Sequence, residues 1–429
     1  MKRYRPAICA AVGGILLLAL HSAGCREKWD TTQNPVRDEE LESAFFSGLN
    51  SIDIPELAEP TRLRPCCIFG NDVSVSVGSI PVPGYEVRNV LDVEDLGTHT
   101  YNNGTLSLQR PEQGPGVVTD EASGILYTCR GGFIDIAHVR DNADRTFYLA
   151  ARIGRLAATG GMVPVAREGA ERRLVVHPVD ASLVRAYGIR EVVIGLAEWI
   201  DFQLSIWHEI ATWYRWSATA FPEQASAFSP EDLYSNLLGA KIAGQVVRRH
   251  GAASEEDYNR NVTAILRDAL TKLGAMPADA SRFAFRYLDG IWWDSDKRAP
   301  DNLLVTHRNF HIRPTLYPWK LVDALPSDEL LAAAREYEQT CGGDWTPLGL
   351  NVPERLGGVP FRRMATIEIR PGEELVRNGF RLPKAGKGVV TQDDFPAIIQ
   401  AIQRACEKEL GAGACLPGAR PDESSRLRG

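Results

Sequence analysis

The sequence lacks several patterns that assign a chain to a common class of protein. No run of lysine and arginine stands out and the formal net charge is −7, which disfavours a nucleic-acid partner because phosphate neutralisation requires clustered basic residues. No GxSxG, Walker or GxGxxG element occurs in a strand–turn–helix setting, and no internal repeat is visible. The composition, 44% hydrophobic and 24% charged, is that of a folded globular protein. Its 429 residues predict one large domain or two smaller ones.

The N-terminal residues predict export and lipid attachment. A basic start (residues 1–5) precedes an apolar segment, Ala7–Leu20, which is too short for a permanent membrane span. Ser22–Cys25 follows and resembles the lipobox of bacterial lipoproteins, which implies cleavage before Cys25 and acylation of its thiol and new amino group. Because Arg26 rather than an aspartate comes next, we predict an outer-membrane anchor with the protein facing the periplasm. An ordinary signal peptide with a chance cysteine is the alternative.

The rest of the chain shows no second segment of this kind, since no later stretch is long and apolar enough to cross a membrane. We predict a lipoprotein signal peptide at residues 1–24, a tether at 25–60, a main α+β domain at 61–325, an extension at 326–415 packed on or continuous with that domain, and a flexible tail at 416–429. The membrane, reached through acylated Cys25, is the one partner that the sequence predicts.

The cysteines fit an oxidising compartment. Beyond Cys25 the sequence has six cysteines, an even number that suggests disulfides. Cys406 and Cys415 are close enough in sequence to staple the end of a helix, whereas the adjacent Cys66 and Cys67 cannot easily bond to each other without strain. No CxxC pair occurs, so zinc binding by cysteines is disfavoured.

The predicted fold class is α+β, with a helical core of several packed helices, peripheral short strands and a small C-terminal α/β extension. Helices are predicted at residues 134–153 and 197–216, from Ser229 onward, at 255–274, after Pro326, and at 393–411. Strands are predicted at 124–129 and 172–180, and a hairpin within 364–382.

The stretch YTCRGGFIDIAHVRD groups proton-handling side chains. On a helix, Asp135, His138 and Asn142 lie on one stripe, and Arg145 continues it. An aspartate beside a histidine can fix the imidazole tautomer or raise its basicity. The pattern therefore predicts either a catalytic group or the polar lining of a packed helix.

A second helix, AEWIDFQLSIWHEIATWYRW, carries a similar stripe. Its polar face consists of Asp201, Ser205, His208, Thr212 and Arg215, with Glu209 at the edge. An amphipathic helix with a solvated stripe explains this pattern equally well. The four tryptophans of this stretch favour an enclosed helix instead, and a histidine there requires hydrogen-bonding partners.

The HEIAT string begins like the HExxH zinc helix, but Thr212 replaces the second histidine and removes a ligand. We predict instead that His138 and His208, from two helices, share a site. Asp135, Asp141 or Glu209 would complete a zinc or other divalent-metal site. A polar network without metal and unrelated exposed residues are the two alternatives.

Two further groups compete with this site. Cys129, between a strand and a helix, has the setting of a lowered thiol pKa, with His208 or His99 as the base, although a disulfide or a buried apolar role is favoured. Glu231 and Asp232 suit the first turn of a helix electrostatically, whereas Asn236 in the next turn is a candidate site residue. The THRNFH string and the aspartates beside tryptophans near residue 292 give a weak sugar-binding signal.

The strings RPCCIFG, HTYNNG, YTCRGGFIDIAHVRD, FQLSIWHEIATWY and FSPEDLYSNLLG together resemble a bacterial family catalogued as domain of unknown function 4056. The resemblance runs from about Arg64 to about Trp319. It implies a grouping and no reaction.

The residues support three hypotheses of function. The first is an envelope hydrolase acting on peptidoglycan, peptide or lipid, with His138, His208, Glu209 and Asp135 as catalytic groups and His138, His208 and Asp141 as metal ligands. The second is a non-catalytic binding or assembly module, and the third is a cysteine hydrolase using Cys129. The first requires the two imidazoles to lie within about 12 Å of each other.

Overall fold

The structure is a computed structural model that describes residues 54–64, 68–77, 80–87, 89–104, 121–214, 223–249, 252–323, 327–343, 345–383, 388–411 and 415. The predicted signal peptide, Cys25, the Cys66–Cys67 pair and the predicted tail lie outside these residues. The described residues fall in one compact unit, Leu49–Gly429. Among them we find no helix with the length and apolar character of a membrane crossing.

Helices form the centre of the fold. Within the described ranges the helices are α1 (Ile136–Leu156), α2 (Ala181–Tyr187), α3 (Ile189–Tyr214), α4 (Asp232–Arg248), α5 (Glu255–Leu273), α6 (Ala278–Tyr287), α7 (Asp328–Gln339), α8 (Glu373–Arg377) and α9 (Phe395–Leu410). Helices α1, α3 and α4 pack on one another and form the helical core. The predicted α+β class with a helical core is therefore confirmed.

The strands form small antiparallel sheets around this core. They are β1 (Val73–Val77), β2 (Ile80–Val87), β3 (Ile125–Thr128), β4 (Gly132–Asp135), β5 (Gly161–Val165), β6 (Ala170–Val176), β7 (Thr315–Leu316), β8 (Leu350–Asn351), β9 (Arg355–Leu356), β10 (Val359–Pro360), β11 (Ala365–Pro371) and β12 (Val390–Thr391). The largest described sheet has four strands in the order β12–β11–β6–β5. It joins the predicted C-terminal extension to the main domain, because β11 pairs with β6.

Helix ends follow their capping residues. Helix α1 begins later than predicted because Ile134 and Asp135 belong to β4, and the Asp135 carboxylate accepts hydrogen bonds from the amides of Ala137 and His138 as the N-cap. Helix α5 ends as predicted, with Gly274 in the left-handed conformation at φ 72°.

The start of α4 differs from the prediction. The helix begins at Asp232 and not at Ser229. The Asp232 carboxylate accepts a 2.6 Å hydrogen bond from the Ser229 amide, which is one half of a capping box. The Ser229 hydroxyl bonds to the Ser226 carbonyl instead of capping the helix.

The predicted hairpin within residues 364–382 is wrong. Strand β11 pairs with β6, which lies far away in sequence, and with β12. After Gly372 the chain turns into the short helix α8, whose first turn contains Glu373 and Glu374. Acidic residues stabilise a helix N-terminus, and no local pattern in the sequence indicates that β6 is the strand that pairs with β11.

The polar stripe of α3 is not solvated. Asp201, Ser205 and Thr212 are buried, and Trp207 is fully enclosed. The solvated-stripe alternative is therefore wrong for these residues, and Arg215 lies outside the described part of the chain.

The end of the predicted tether contacts the domain. The Tyr101 hydroxyl donates a 2.6 Å hydrogen bond to the Ala58 carbonyl, and Glu56 pairs with Arg152 at 2.5 Å. The amides of Thr61 and Arg62 donate to one side-chain oxygen of Asn102. Residues 54–64 are thus held against α1 and the loop that precedes β3.

Two disulfides are present among the described cysteines. Cys406–Cys415 closes the end of α9, as predicted, over a sequence separation of 9 residues. Cys129–Cys341 joins the β3–β4 turn to the residues after α7 over a separation of 212. The bond to Cys341 leaves Cys129 without a free thiol, so the cysteine-hydrolase hypothesis is not supported.

The long-range disulfide is expected to contribute more stability than the short one, because closing a longer loop removes more entropy from the unfolded chain. Replacing Cys129 and Cys341 by serine should lower the free energy of unfolding by roughly 4–5 kcal/mol, against about 2–3 kcal/mol for Cys406 and Cys415. Denaturant unfolding of the two double variants measures the difference. Equal losses would contradict the expectation.

Candidate functional site

The helical core brings together the polar residues that the sequence singled out. His138 lies in the first turn of α1, His208 and Glu209 lie on α3, and Asp232 opens α4. The imidazole rings of His138 and His208 are 5.6 Å apart between centroids, at an interplanar angle of 75°. The two histidines therefore share one site, well inside the separation that the hydrolase hypothesis requires.

Three side chains of this site, including that of His138, bring possible metal-ligand atoms together. One atom each from His138, Glu209 and Asp232 lies within 4.8 Å of the other two, and His138 Nε2 is 3.8 Å from Asp232 Oδ1. All three residues are buried. Among the described residues, Glu209 Oε1 and Asp232 Oδ1 accept no hydrogen bond from a neighbouring donor, and the raised pKa of Glu209 allows the two carboxylates to share a proton. Two buried carboxylates in contact require a shared proton or a bound cation, and this group has the ligand atoms of a cation site.

The predicted ligand set differs from this group. Asp141 was predicted as a ligand, but its carboxylate accepts hydrogen bonds from the Arg64 guanidinium at 2.7 Å and from the Arg64 amide at 3.0 Å. His208 lies beside the group and not within it. Asp232, which the sequence explained as a helix-start residue, takes the place of Asp141.

His208 is oriented by a residue that the sequence did not single out. Its Nδ1 contacts the carboxylate of Glu168, in the turn between β5 and β6. Arg172 holds the second Glu168 oxygen at 2.5 Å, and the Trp207 indole donates to the Glu168 carbonyl. A carboxylate on Nδ1 sets the tautomer and leaves Nε2 as the acceptor nitrogen. His208 has 20% of its side chain exposed, whereas the three residues of the ligand group are buried.

The loop before α4 supplies backbone support to two of the ligands. The Phe228 amide donates to Glu209 Oε2 at 2.8 Å, and the Ser229 amide bonds Asp232 as described above. Phe228 has φ 54°, a conformation that costs energy for a bulky residue. It persists because the surrounding residues fix the loop.

The THRNFH string explains how the loop is fixed. The buried Arg308 guanidinium donates to the carbonyls of Ala225 and Ala227 at 3.1 and 2.5 Å. The Asn309 amide donates to the Phe228 carbonyl at 2.7 Å, and its side chain reaches the Pro230 carbonyl. This string, which gave a weak sugar-binding signal in the sequence, therefore supports the loop that carries the ligands.

The electrostatics of the site favour a bound cation. Burial, followed by repulsion from Asp232, raises the pKa of Glu209 and of Glu231 well above the usual range. Burial also raises the pKa of Asp135. The pKa of His138 is raised as well, because the attraction of Asp135 and Asp232 outweighs the opposing effect of burial. A divalent cation would relieve the mutual repulsion of these carboxylates.

The other candidates fall into two groups. Asp135 caps α1 and lies 4.0 Å from His138 Nε2 through Oδ2, and Asn142 and Asn236 bond to each other beside the His138 ring. His99 is fully buried elsewhere, with Nε2 2.8 Å from Asp144. It belongs to an ionic cluster around Arg64, and it is not part of the site.

A pH dependence follows from a buried carboxylate next to the site. Burial raises the pKa of Asp201 from 3.8 to about 7, although Arg145 opposes this effect. The folded state thus holds a proton that the unfolded chain releases earlier, so this contribution to stability is present at low pH and is lost as the pH rises toward 7. Urea unfolding in a chelator should show this loss between pH 4.5 and 7, and Asp201→Asn should reduce it. An equal pH slope in both proteins would refute the assignment.

Comparison with known proteins gives a family and no reaction. No curated protein and no solved structure matches the chain. A family profile described as "Protein of unknown function (DUF4056)" matches residues 54–322. This range includes His138, Glu168, Glu209, Asp232 and the THRNFH string, and it agrees with the resemblance found in the sequence. The chain therefore belongs to the family of proteins of unknown function DUF4056.

Proposed function

We propose that this protein is a divalent-metal-dependent hydrolase in which His138, Glu209 and Asp232 hold the metal. The observation that carries the proposal is the convergence of their ligand atoms within 4.8 Å from α1, α3 and the start of α4. Helices position ligands more rigidly than loops do. The backbone amides of Phe228 and Ser229 donate hydrogen bonds to Glu209 Oε2 and Asp232 Oδ2.

The donor set indicates the class of metal. One imidazole and two carboxylates, with no sulfur ligand, suit zinc or another divalent first-row ion. Three protein ligands leave a coordination position for water, and such a metal lowers the pKa of bound water toward neutrality. The residues of this site supply the remaining requirements, which are orientation, exclusion of bulk water and proton transfer.

His208 is the proposed proton-transfer residue. His208 Nδ1–H donates a hydrogen bond to the Glu168 carboxylate, so Nε2 can take a proton from water and return it to a leaving group. The 5.6 Å between the ring centroids of His208 and His138 places the His208 imidazole next to the ligand group. Partial exposure of His208 allows substrate to approach from this side.

The proposed substrates are envelope materials, a choice that rests on the location predicted from the sequence. The sequence that resembles a signal peptide with a lipobox predicts a chain tethered at Cys25 in the outer membrane and facing the periplasm. Peptidoglycan, peptides and lipid esters are therefore the substrate classes to test. Purified metal-loaded protein should release soluble products from one of them, and chelation should stop the release.

The anchor is tested separately. Cells that express the protein with radiolabelled palmitate should incorporate the label, and the protein should fractionate with outer membranes. Cys25→Ser is expected to abolish labelling and to release the protein from the membrane fraction, because the acylated thiol is lost. Incorporation of labelled palmitate into the Cys25→Ser protein would contradict the predicted lipid anchor, and it would leave the proposed metal site untouched.

A non-catalytic binding or assembly module is the second candidate. The 5% exposure of His138 favours it, since structural metal sites are closed to substrate. In that case, metal removal should lower the thermal midpoint of unfolding while no substrate class is turned over. Metal-dependent turnover of any of the substrate classes would show that the protein is a hydrolase and not a non-catalytic module.

A further inference from the structure

A chain of hydrogen bonds runs from a buried arginine to the proposed metal ligand His138. Arg145 Nη2 donates to Asn142 Oδ1 at 2.5 Å, and Asn142 Nδ2 donates to Asn236 Oδ1 at 2.6 Å. Asn236 Oδ1 lies 2.8 Å from His138 Nδ1. Asp201 anchors the far end, because its carboxylate accepts a 2.5 Å bond from Arg145 Nε.

The direction of this chain is determined by its first member. A guanidinium donates hydrogen bonds and cannot accept them, so the Asn142 atom that faces Arg145 is the carbonyl oxygen. The Asn142 amide nitrogen then faces Asn236, and it also donates to the His138 carbonyl at 2.8 Å. The same Asn236 atom contacts Asn142 Nδ2 and His138 Nδ1. Because this atom must accept the hydrogen bond from Asn142, it is the side-chain oxygen of Asn236 that faces His138.

An acceptor at this position fixes the tautomer of the imidazole. His138 Nδ1 has to carry the proton, and Nε2, on the side of Asp232 Oδ1, carries the lone pair. We propose that Arg145, Asn142 and Asn236 are positioning residues that hold His138 in the Nδ1–H tautomer and prepare Nε2 for metal binding. The second half of this inference rests on the proposed function, whereas the tautomer itself does not.

The order of donors and acceptors from Arg145 to His138 distinguishes a positioning role from simple packing. Outer partners that orient a metal-binding histidine typically change metal affinity by 10–100-fold when they are lost. A chain with the opposite direction would place the proton on Nε2, where it would have to be displaced before a metal could bind. The burial of Asn142 and Asn236 makes the bond between them independent of solvent.

Two variants with the same change in charge test the direction. Asn142→Asp removes the donor that faces Asn236, so the Asn236 amide is expected to turn and present its nitrogen to both neighbours. His138 Nδ1 then becomes an acceptor. Asn236→Asp accepts from Asn142 and from His138 Nδ1, and it preserves the original direction.

The first measurement is nitrogen-15 NMR of metal-free protein labelled at histidine, with His138→Gln used to assign the signal. At a pH where His138 is neutral, the wild-type protein and Asn236→Asp should show the Nδ1–H tautomer, and Asn142→Asp should show the Nε2–H tautomer. An Nε2–H signal in the wild-type protein overturns the inference without any variant. An unchanged tautomer in folded Asn142→Asp also overturns it.

The second measurement is zinc affinity. Asn142→Asp should bind zinc about 10–100-fold more weakly than the wild-type protein, whereas Asn236→Asp should stay within roughly threefold, because its carboxylate still accepts from Nδ1. Equal weakening in both variants would assign the loss to added charge and reject the positioning role. If the wild-type protein binds no metal but shows the Nδ1–H tautomer, the proposed function fails and the tautomer assignment stands.

Discussion

Replacing His138 by alanine is expected to leave the purified protein without bound metal. Wild-type protein loaded with zinc and then desalted should retain about one ion per chain, as expected for one three-ligand site. His138→Ala should retain less than roughly a tenth of that amount. The reason is that the imidazole is the one nitrogen ligand of the group, and losing a direct ligand costs more than the 10–100-fold typical of outer partners. Inductively coupled plasma mass spectrometry measures the content.

A matched histidine variant serves as the control. His177 is half-buried outside the site, with Nε2 3.3 Å from the Thr366 hydroxyl, so His177→Ala should retain metal as the wild-type protein does. Glu209→Gln keeps the acceptor for the Phe228 amide while removing the charge, and it should lose metal as His138→Ala does. Full metal retention in folded His138→Ala or Glu209→Gln would reject this ligand set.

Replacing His208 by glutamine is expected to separate chemistry from metal binding. The variant should retain its metal, because His208 lies beside the ligand group and not in it. Its kcat should fall by about 10²–10⁴-fold, the usual contribution of a positioned acid–base group. The assay uses whichever substrate class the metal-loaded wild-type protein turns over.

Glu168→Gln provides the companion measurement. Glutamine keeps the shape of the side chain but replaces the carboxylate that sets the His208 tautomer. It is expected to reduce kcat by less than His208→Gln does and to leave the metal content unchanged. An active His208→Gln enzyme, or one that has lost its metal, would remove His208 from the proton-transfer role.

Local sequence signals predicted the helical core well. Helix α5 was predictable because Gly274 gives its C-terminus a left-handed cap. The core helices α1 and α3 were predictable from long stretches of good helix formers, although their exact ends depended on neighbours. Asp135 shows the limit, since pairing with Ile125 in a strand, rather than helix propensity, decides where α1 begins.

Tertiary partners account for the features that were missed. Strand β11 was mistaken for half of a hairpin because its partner, β6, lies nearly two hundred residues earlier in the chain. Asp141 was predicted as one of the groups that could complete a metal site, but its carboxylate pairs with Arg64 at 2.7 Å. No local sequence pattern indicates that Arg64 is the partner of Asp141.

Only part of the candidate site could be predicted from the sequence, because tertiary contacts bring in the remaining residues. His138, His208 and Glu209 were found because helical spacing places them on definable faces. Asp232 was seen but explained by the electrostatics of a helix start, a role that it combines with its position in the ligand group. Glu168 carries no local signal at all, because only the fold of the β5–β6 turn brings it to His208.

The most direct test of the metal site is anomalous diffraction from crystals of zinc-loaded protein, recorded above and below the zinc absorption edge. We expect one strong anomalous peak about 2.0–2.2 Å from His138 Nε2 and from one carboxylate oxygen each of Glu209 and Asp232. No peak at this position, or a peak on other residues with these three side chains unchanged, would contradict it.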